Sequence, residues 1–508
     1  MLSVSLYTFG CKINQLESEA IAHAFSLRGF RVLPWNGAAG EDVDILVFNT
    51  CTVTSKAEQK ARRVIRKALR DHPQAVLMVT GCYAQMAREV LEALGQERGL
   101  ASLDANRLVV VSGDAKSLFL DLPGFLAQTM PHELTLVLLS QWLREKETLK
   151  TFATERFRFS PGDFFLHSRA SLKIQDGCDN HCSYCRVRLA RGRSVSLEAD
   201  QIRATLQALE AKGYGEAVLT GVNITQYRDT GIHREGVLHL GGLLSYLLAG
   251  TERIRLRLSS LEPEGLTEEL LAVLGHPRIR PHFHLSLQSG SPRILEQMGR
   301  RYTPQDVERG IRCLRELKDD PFLGCDIITG FPGETEEAFE ETFTLCRRSG
   351  FAWIHAFPYS PRPGTAAYTY AGTVSERDAV LRAARLGALS RAGRQTYSRG
   401  WLGREVEAIL EASKECKSPF VTAVSDNYLK LLVQFPDQAP PPRGSAIRCK
   451  ICGLPNRGAD FSRFDALGEY LPDESVLSPG NPGCEKNPVN TENIRSSLSI
   501  TRYPLEPV

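Results

Sequence analysis

Residues 172–185 read LKIQDGCDNHCSYC. The stretch opens as a predicted strand, and Cys178, Cys182 and Cys185 follow it in a C-x₃-C-x₂-C loop. That spacing lets three thiolates converge on one iron–sulfur cube and leaves the fourth iron without a protein ligand. Four cysteines complete an ordinary [4Fe–4S] site, so three imply an open coordination position and chemistry at it. The plainer reading is a structural zinc loop. A closed zinc site needs a fourth protein ligand, and the nearest candidate, His181, lies inside the loop and is badly placed. Tyr184 has two readings at this stage: packing beneath the cube, or lining an adenine site.

Strand–helix alternation continues outward from this loop. SLKIQ, EAVLT, IRLRL, FHLSL, FLGCDI and AWIHAF are expected strands, most of them separated by amphipathic helical stretches such as LEADQIRATLQALEAKG. Six such units suggest an incomplete (β/α) barrel, whose ligands sit at the carboxyl ends of the strands. Those ends carry the cysteine loop, then Thr220-Gly221-Val222-Asn223, Ser259-Ser260-Leu261-Glu262, Gln288-Ser289-Gly290, Asp326 running into GFPGET, and Phe357-Pro358-Tyr359-Ser360. Polar side chains and glycines repeated at one barrel mouth are better explained by a ligand than by packing. The GFPGET glycines are too few and wrongly spaced for a phosphate-binding P-loop.

The first hundred residues show the same α/β alternation. LSVSLYTF, DILVFN and AVLMVT are expected strands, each followed by a helix, at about Gln15–Leu27, Ser55–Arg70 and Met86–Leu94. Cys11, Cys51 and Cys82 each follow one of these strands, so a parallel sheet brings all three to one carboxyl edge. Singly they are ordinary half-buried thiols. Together they form a second three-thiolate site, with Gly10 and Gly81 allowing the turns that aim a thiolate.

Three further regions are expected. Residues 121–163 connect the first unit (1–120) to the barrel (164–397). Residues 398–456 alternate like the short strands of a small β-barrel, and 457–508 lack ordered patterns and read as a disordered tail. Cys449 and Cys452 resemble half of a zinc or redox pair without a partner pair, so a structural role is expected.

Composition bounds the rest. A chain of 508 residues is too long for one core. Thirteen cysteines without a secretion signal point to a reducing cytoplasm and to thiolates as metal ligands. Apolar runs reach only half of the ~20 residues a spanning helix needs, so no membrane partner is expected. A formal net charge of +3 does not argue for nucleic acid by itself. Any RNA case rests on local patches: the stripe Lys56, Lys60, Arg63 and Lys67, which is equally a solvated face, and Arg186, Arg188, Arg191 and Arg193 after the cysteine loop.

Jointly these residues resemble the radical SAM methylthiotransferases. GCKINQLES, NTCTVT and GCYAQ look like that family's N-terminal cysteine motifs, and DGCDNHCSYC with ARGR looks like its SAM-cluster loop. SSLEP, HLSLQSGS, DIITGFPGET and FPYSPRPGT match barrel motifs, and the small β-barrel looks like a TRAM domain, an RNA-binding fold. The likeness reaches to about residue 455. Arg188 departs from a usual proline, and Cys325 from a threonine that commonly precedes the aspartate.

The resemblance implies two [4Fe–4S] clusters, S-adenosyl-L-methionine and an electron donor such as flavodoxin or ferredoxin. Gly221, Asn223, Ser260, Gln288 and Asp326, with Tyr184, are its candidate SAM-pocket residues. Lys12 after Cys11 and the phrase KIQDGCDN are similar to the branch that methylthiolates C2 of N6-threonylcarbamoyladenosine at position 37 in the tRNA anticodon loop. The same chemistry on isopentenyladenosine or on a ribosomal-protein aspartate is the neighbouring reading. A non-catalytic RNA-binding protein with structural metal sites is the reading from another class. DNA is not an expected partner.

Overall fold

The computed structural model describes residues 2–35, 43–97, 107–128, 136–149, 154–159, 169–231, 236–411, 420–435, 439–455 and 464–472. Its first unit is a five-stranded parallel sheet: β1 (Ser3–Thr8), β2 (Arg31–Pro34), β3 (Ile45–Thr50), β4 (Val76–Gly81) and β5 (Leu108–Val110), in the order β2-β1-β3-β4-β5. The central strand β3, ILVFNT, is buried at every residue, as a parallel strand covered on both faces requires. Helix α1 (Lys12–Leu27) buries Leu16, Ile21 and Phe25, which share a core with Val4 and Val47. Helix α2 (Ser55–Asp71) opens on Thr54, whose hydroxyl accepts the Ala57 N–H at 3.1 Å, an N-cap worth ~1 kcal/mol. It packs Ala61 and Ile65 into a second core with Leu46 and Phe48.

Two stretches differ from expectation. The helix expected near Met86–Leu94 starts on the cysteine itself as α3 (Cys82–Met86), and Ala87 (φ −153°) separates it from Arg88–Glu92. Within 121–163, expected as a connection, the helices Leu118–Gln128 and Leu136–Leu149 place Leu122, Leu126, Leu139 and Leu143 in the core beside α1. Their apolar residues recur on one face, and the sheet's exposed flank is what they cover.

The central unit has six parallel strands in chain order. β6 (Ala170–Lys173), β7 (Glu216–Thr220) and β8 (Arg255–Leu258) form one half, and β9 (His282–Gln288), β10 (Phe322–Thr329) and β11 (Trp353–Pro358) the other. Single bridges, Leu256 to Ile279 and Leu261 to Leu285, join the halves. The outer helices follow the amphipathic pattern. Pro304–Leu317, for example, has Pro at its first position and a Thr303/Asp306 capping box, and it buries Val307, Ile311 and Leu314. This is the partial (β/α)₆ barrel that the spacing of the strands predicts.

The third unit is a closed five-stranded barrel of β12 (Glu405–Leu410), β13 (Phe420–Ser425), β14 (Lys430–Gln434), β15 (Ala446–Gly453) and β16 (Ala466–Leu471), ordered β12-β13-β14-β16-β15. Here the expected boundary is corrected. β16 lies inside the stretch read as a disordered tail, yet it pairs with both β14 and β15 and buries Ala466 in the barrel core. ALGEYL is too short and too glycine-interrupted to read as a strand alone; the two open edges it closes make it one. Residues 473–508 lie outside the described residues.

Candidate active site at the seam of two domains

Cys11, Cys51 and Cys82 stand at the carboxyl ends of β1, β3 and β4. Gly10 (φ +90°) and Gly81 (φ +102°) make the turns. A Cβ on Gly10 would fall 2.6 Å from the Cys51 sulfur, and one on Gly81 would fall 2.3 Å from the Thr50 carbonyl oxygen. Only glycine serves at either place. Asn14 Nδ2 ties the Cys11 and Cys51 loops by donating to the carbonyls of Phe9 (2.9 Å) and Thr50 (3.1 Å). The three thiols lie within electrostatic reach of one another. Burial raises Cys11 and pushes Cys51 up to about 12, so a bound cation must supply the charge that makes them thiolates.

Cys178, Cys182 and Cys185 occupy the loop after β6, and they too sense one another. Backbone N–H groups of Asn180 and Val187 donate to the sulfurs of Cys178 and Cys185, each at 3.4 Å. The loop is held from outside. Ser183 donates through its backbone to Met298 O (3.0 Å) and through its hydroxyl to Gln297 O (2.8 Å). Gln175 saturates its amide on Gly177 O, Ser194 Oγ and the Asn223 N–H. Burial pushes Cys185 up to about 12 and raises Cys178 and Cys182.

Among the described residues, no three His, Cys, Asp or Glu side chains converge on the space of a single metal ion. A cube places each thiolate on a different iron and so keeps the sulfurs apart, whereas tetrahedral zinc draws its ligands together. His181, the candidate zinc ligand, has its ring engaged by the Arg188 guanidinium. Both trios offer the free thiols that ligate an iron–sulfur cube.

The seam between the first unit and the barrel supplies the stronger test. Arg191, in the Val187–Arg191 helix after the cysteine loop, donates from Nε to the Cys82 sulfur at 3.3 Å. Its NH1 reaches Glu17 Oε1 (3.2 Å) and Asp176 (3.1 Å), and its NH2 reaches Asn14 Oδ1 (2.9 Å). Lys173 bridges the same two carboxylates at 3.1 and 2.9 Å, and Lys116 meets Glu17 at 2.5 Å. Burial pushes the Glu17 carboxyl up, but Arg191, Lys116 and Lys173 together draw it well below its ordinary value.

Three buried cations therefore face two carboxylates, and the surplus charge points at a sulfur. A buried charge left unbalanced is costly, and a thiolate-ligated, anionic cluster at Cys11, Cys51 and Cys82 balances it. A small cleft of about 30 Å³ opens here, lined among others by Cys82, Glu17, Lys116, Asp176 and Arg191.

A second contact closes the seam. Arg362 donates to Glu58, to Thr52 Oγ1 (2.9 Å) and to Ser55 Oγ (3.0 Å), and Arg186 meets Glu58 at 3.4 Å. Arg186, Arg188, Arg191 and Arg193, read as an anion-contact cluster, are thus all engaged within the protein, Arg193 with Asp179 at 3.3 Å. Arg186 and Arg191 reach across the seam, while Arg188 and Arg193 pair with His181 and Asp179 of their own cysteine loop.

The pocket candidates fare differently from one another. Asn223 is 4% exposed, and its side chain bonds the Cys178 thiol. Gly221 lies so close to Gln175 that a Cβ would fall 2.8 Å from Gln175 Oε1. Gln288 ends β9 at φ +61°, and its buried Oε1 has no hydrogen-bond partner among the described residues. Ser260 sits half-buried after β8. Tyr184 packs edge-on against Phe331 in a small cluster under the loop and bonds Cys182. Asp326 is occupied, with His284 Nε2 at 3.0 Å on one oxygen and His355 Nδ1 at 3.1 Å on the other. Burial alone would raise its carboxyl, yet the two imidazoles hold it well below the carboxylate range.

Sequence reasoning missed the pair Glu262–Arg300. Arg300 NH1 meets Glu262 Oε2 at 2.7 Å beside the second cysteine trio, and burial pushes the Glu262 carboxyl up to about 7 despite that partner. Glu262 follows a strand end that was already singled out, but nothing in the sequence joins it to Arg300. Glu17 and Asp176 were missed likewise, being ordinary acids until the fold buries them together.

Comparison with known proteins places the chain. Residues 172–346 match the Radical SAM superfamily and residues 3–101 match Uncharacterized protein family UPF0004. The chain is 40% identical, over 89% of its length and 98% of the relative's, to threonylcarbamoyladenosine tRNA methylthiotransferase MtaB of Treponema pallidum. It is 32% identical to the protein of the same name from Bacillus subtilis, over 93% and 99% of the two lengths. It is 30% identical to the tRNA-2-methylthio-N(6)-dimethylallyladenosine synthase of Jannaschia sp., over 80% and 82%.

Proposed function

We propose, from the premise that this chain belongs to the radical SAM tRNA methylthiotransferase family, that it adds a methylthio group to C2 of N6-threonylcarbamoyladenosine at position 37 of tRNA. The observation that carries the reading is the seam: two cysteine trios come from two domains, and Arg191 is bonded to a sulfur of one and follows the loop of the other. The relatives named for threonylcarbamoyladenosine reach 40% identity and those named for dimethylallyladenosine 33%, so the isopentenyl alternative is not favoured. The ribosomal-protein and non-catalytic alternatives are not favoured either.

The target is an aromatic C–H bond, neither acidic nor readily displaced, and acid–base groups alone cannot replace it. The clusters and S-adenosyl-L-methionine, when bound, supply radical and sulfur chemistry suited to it. In this reading Cys178, Cys182 and Cys185 hold the SAM-binding cluster and Cys11, Cys51 and Cys82 hold the sulfur-delivering one. Asn223, Gly221, Ser260 and Gln288 line the SAM pocket. Tyr184 packs under the cysteine loop, and Asp326 orients His284 and His355 at the strand ends. Arg191, Lys173 and Lys116 compensate the charge of the first trio, and Arg362 and Arg186 hold the two domains in register on Glu58. The closed β12–β16 barrel grips the RNA, and an electron comes from a flavodoxin or ferredoxin in the cytoplasm. Among the described residues no helix is long and apolar enough to cross a membrane.

Nucleoside analysis of tRNA from a deletion strain, with and without complementation, tests the reading. Loss of the methylthio-threonylcarbamoyl nucleoside, with its precursor accumulating and complementation restoring it, is expected. An unchanged level of the methylthio nucleoside in the deletion strain overturns it.

A further inference from the structure

Resting on that reading, the substrate's N6 substituent ends in a carboxylate, which a dimethylallyl group lacks. A site that selects it needs a cation without a partner of its own, because an internally neutralised one has little left to offer an incoming anion. Most cations around the seam fail this condition. Arg191 and Lys173 serve Glu17 and Asp176, Arg362 and Arg186 serve Glu58, and Arg300 serves Glu262.

Lys12 meets the condition. It is half-buried, it opens α1 directly after Cys11, and among the described residues it has no ion-pair or hydrogen-bond partner for its ammonium group. Its charge is felt at Tyr428, a residue of the third unit. Tyr428 sits at φ +68° with its ring 4.0 Å from that of His282 at the start of β9. The guanidiniums of Arg257 and Arg169 lie 5.4 and 5.7 Å from the same ring. Arg257 keeps one buried NH1 with no hydrogen-bond partner among the described residues. Lys12 first, and then Arg169, Arg257 and Lys430, outweigh burial and draw the Tyr428 phenol down to about 8. All three units thus bring side chains to one cation-rich spot, and Lys12 links it to the first cysteine trio through its place next to Cys11.

We propose that Lys12 is the specificity-determining residue that pairs with the carboxylate of the threonylcarbamoyl group, with the Tyr428 phenol beside it. Adjacent Cα atoms are about 3.8 Å apart. An adenine whose C2 faces the Cys11, Cys51 and Cys82 cluster therefore presents its N6 substituent within reach of the side chain next to Cys11. Lysine suits the task as a compact point charge on a flexible stem. Breaking a desolvated charge pair by removing one partner weakens binding by about thirty-fold or more.

The test uses the full, iron-loaded enzyme and an anticodon stem-loop RNA carrying either threonylcarbamoyladenosine or its methyl ester. Affinity is read by fluorescence anisotropy alongside methylthiolation. The unaltered chain is expected to bind the acid at least about thirty-fold more tightly than the ester. Lys12→Met should bring the two together, and Lys12→Arg should restore part of the difference, at equal iron content. Equal binding of acid and ester by the unaltered chain overturns the proposal, and so does a preference for the acid that survives in Lys12→Met. If Lys12→Met loads iron poorly, the unaltered chain and Lys12→Arg decide between the same outcomes. Failure of the unaltered enzyme to methylthiolate the acid RNA sinks the proposed function instead, and the acid–ester affinities still judge Lys12.

Discussion

Arg191 and Cys82, 109 residues apart in sequence, meet at 3.3 Å, guanidinium Nε to sulfur, across the boundary between two domains. The contact makes a cysteine of one unit depend electrostatically on a helix of the other. Replacing Arg191 with glutamine should cost about 3 kcal/mol, the scale for breaking a buried ion pair by one partner. Reconstituted iron should fall from about eight per chain toward about four, with SAM cleavage at the other trio retained. Thermal melting and iron analysis check this; full iron with an unchanged melting temperature contradicts it.

The two trios should separate by function. Replacing Cys178, Cys182 and Cys185 together by alanine should abolish SAM cleavage to 5′-deoxyadenosine, and replacing Cys11, Cys51 and Cys82 should preserve it while abolishing methylthiolation. Each triple variant should hold about four irons. A first variant that still cleaves SAM refutes the assignment.

Gln288 carries a left-handed backbone and an unsatisfied buried amide oxygen. That combination is costly for the fold and makes sense where a ligand repays it. Gln288→Gly should stabilise the ligand-free chain by about 1 kcal/mol and weaken SAM binding several-fold. Denaturant melts and equilibrium dialysis read the two effects, and a variant with unaltered SAM affinity removes Gln288 from the pocket.

Glu216 is 2% exposed and binds Arg257 (2.6 and 2.9 Å) and Arg280 (2.7 Å) where the barrel meets the small β-barrel. Burial would raise its carboxyl, but the two guanidiniums pull it from 4.5 down to about 2, a difference worth about 3 kcal/mol. Because the folded value lies below the unfolded one, that stability is present above pH 4.5 and is lost as the pH falls toward 2. Glu216→Gln should destabilise the chain at neutral pH and flatten its stability curve across this window. Parallel unfolding curves of the two proteins over that range contradict the coupling.

The strands that carry the cysteines were legible because each is an apolar run ending in a glycine or a turn. Parallel pairing then forces Cys11, Cys51 and Cys82 to one edge whatever the details. What the sequence hid was pairing between distant polar groups. Asp326 was placed at the barrel mouth, but its occupation by His284 and His355 depends on the alignment of β9, β10 and β11. Arg191 read as one arginine of a cluster, and nothing local shows that its partners lie on α1 and α3. The helix at Cys82 was read four residues late because a five-residue helix has too little periodicity to declare its start.

The strand Ala466–Leu471 slots between two earlier strands of the small barrel and runs parallel to one of them, Lys430–Gln434. Until the ribosome has released it, both neighbours expose unpaired N–H and C=O groups, a template that another chain can copy. A fragment ending near residue 456 would therefore be sticky rather than merely shortened, and expression trials that trim the carboxyl terminus should spare everything through Leu471.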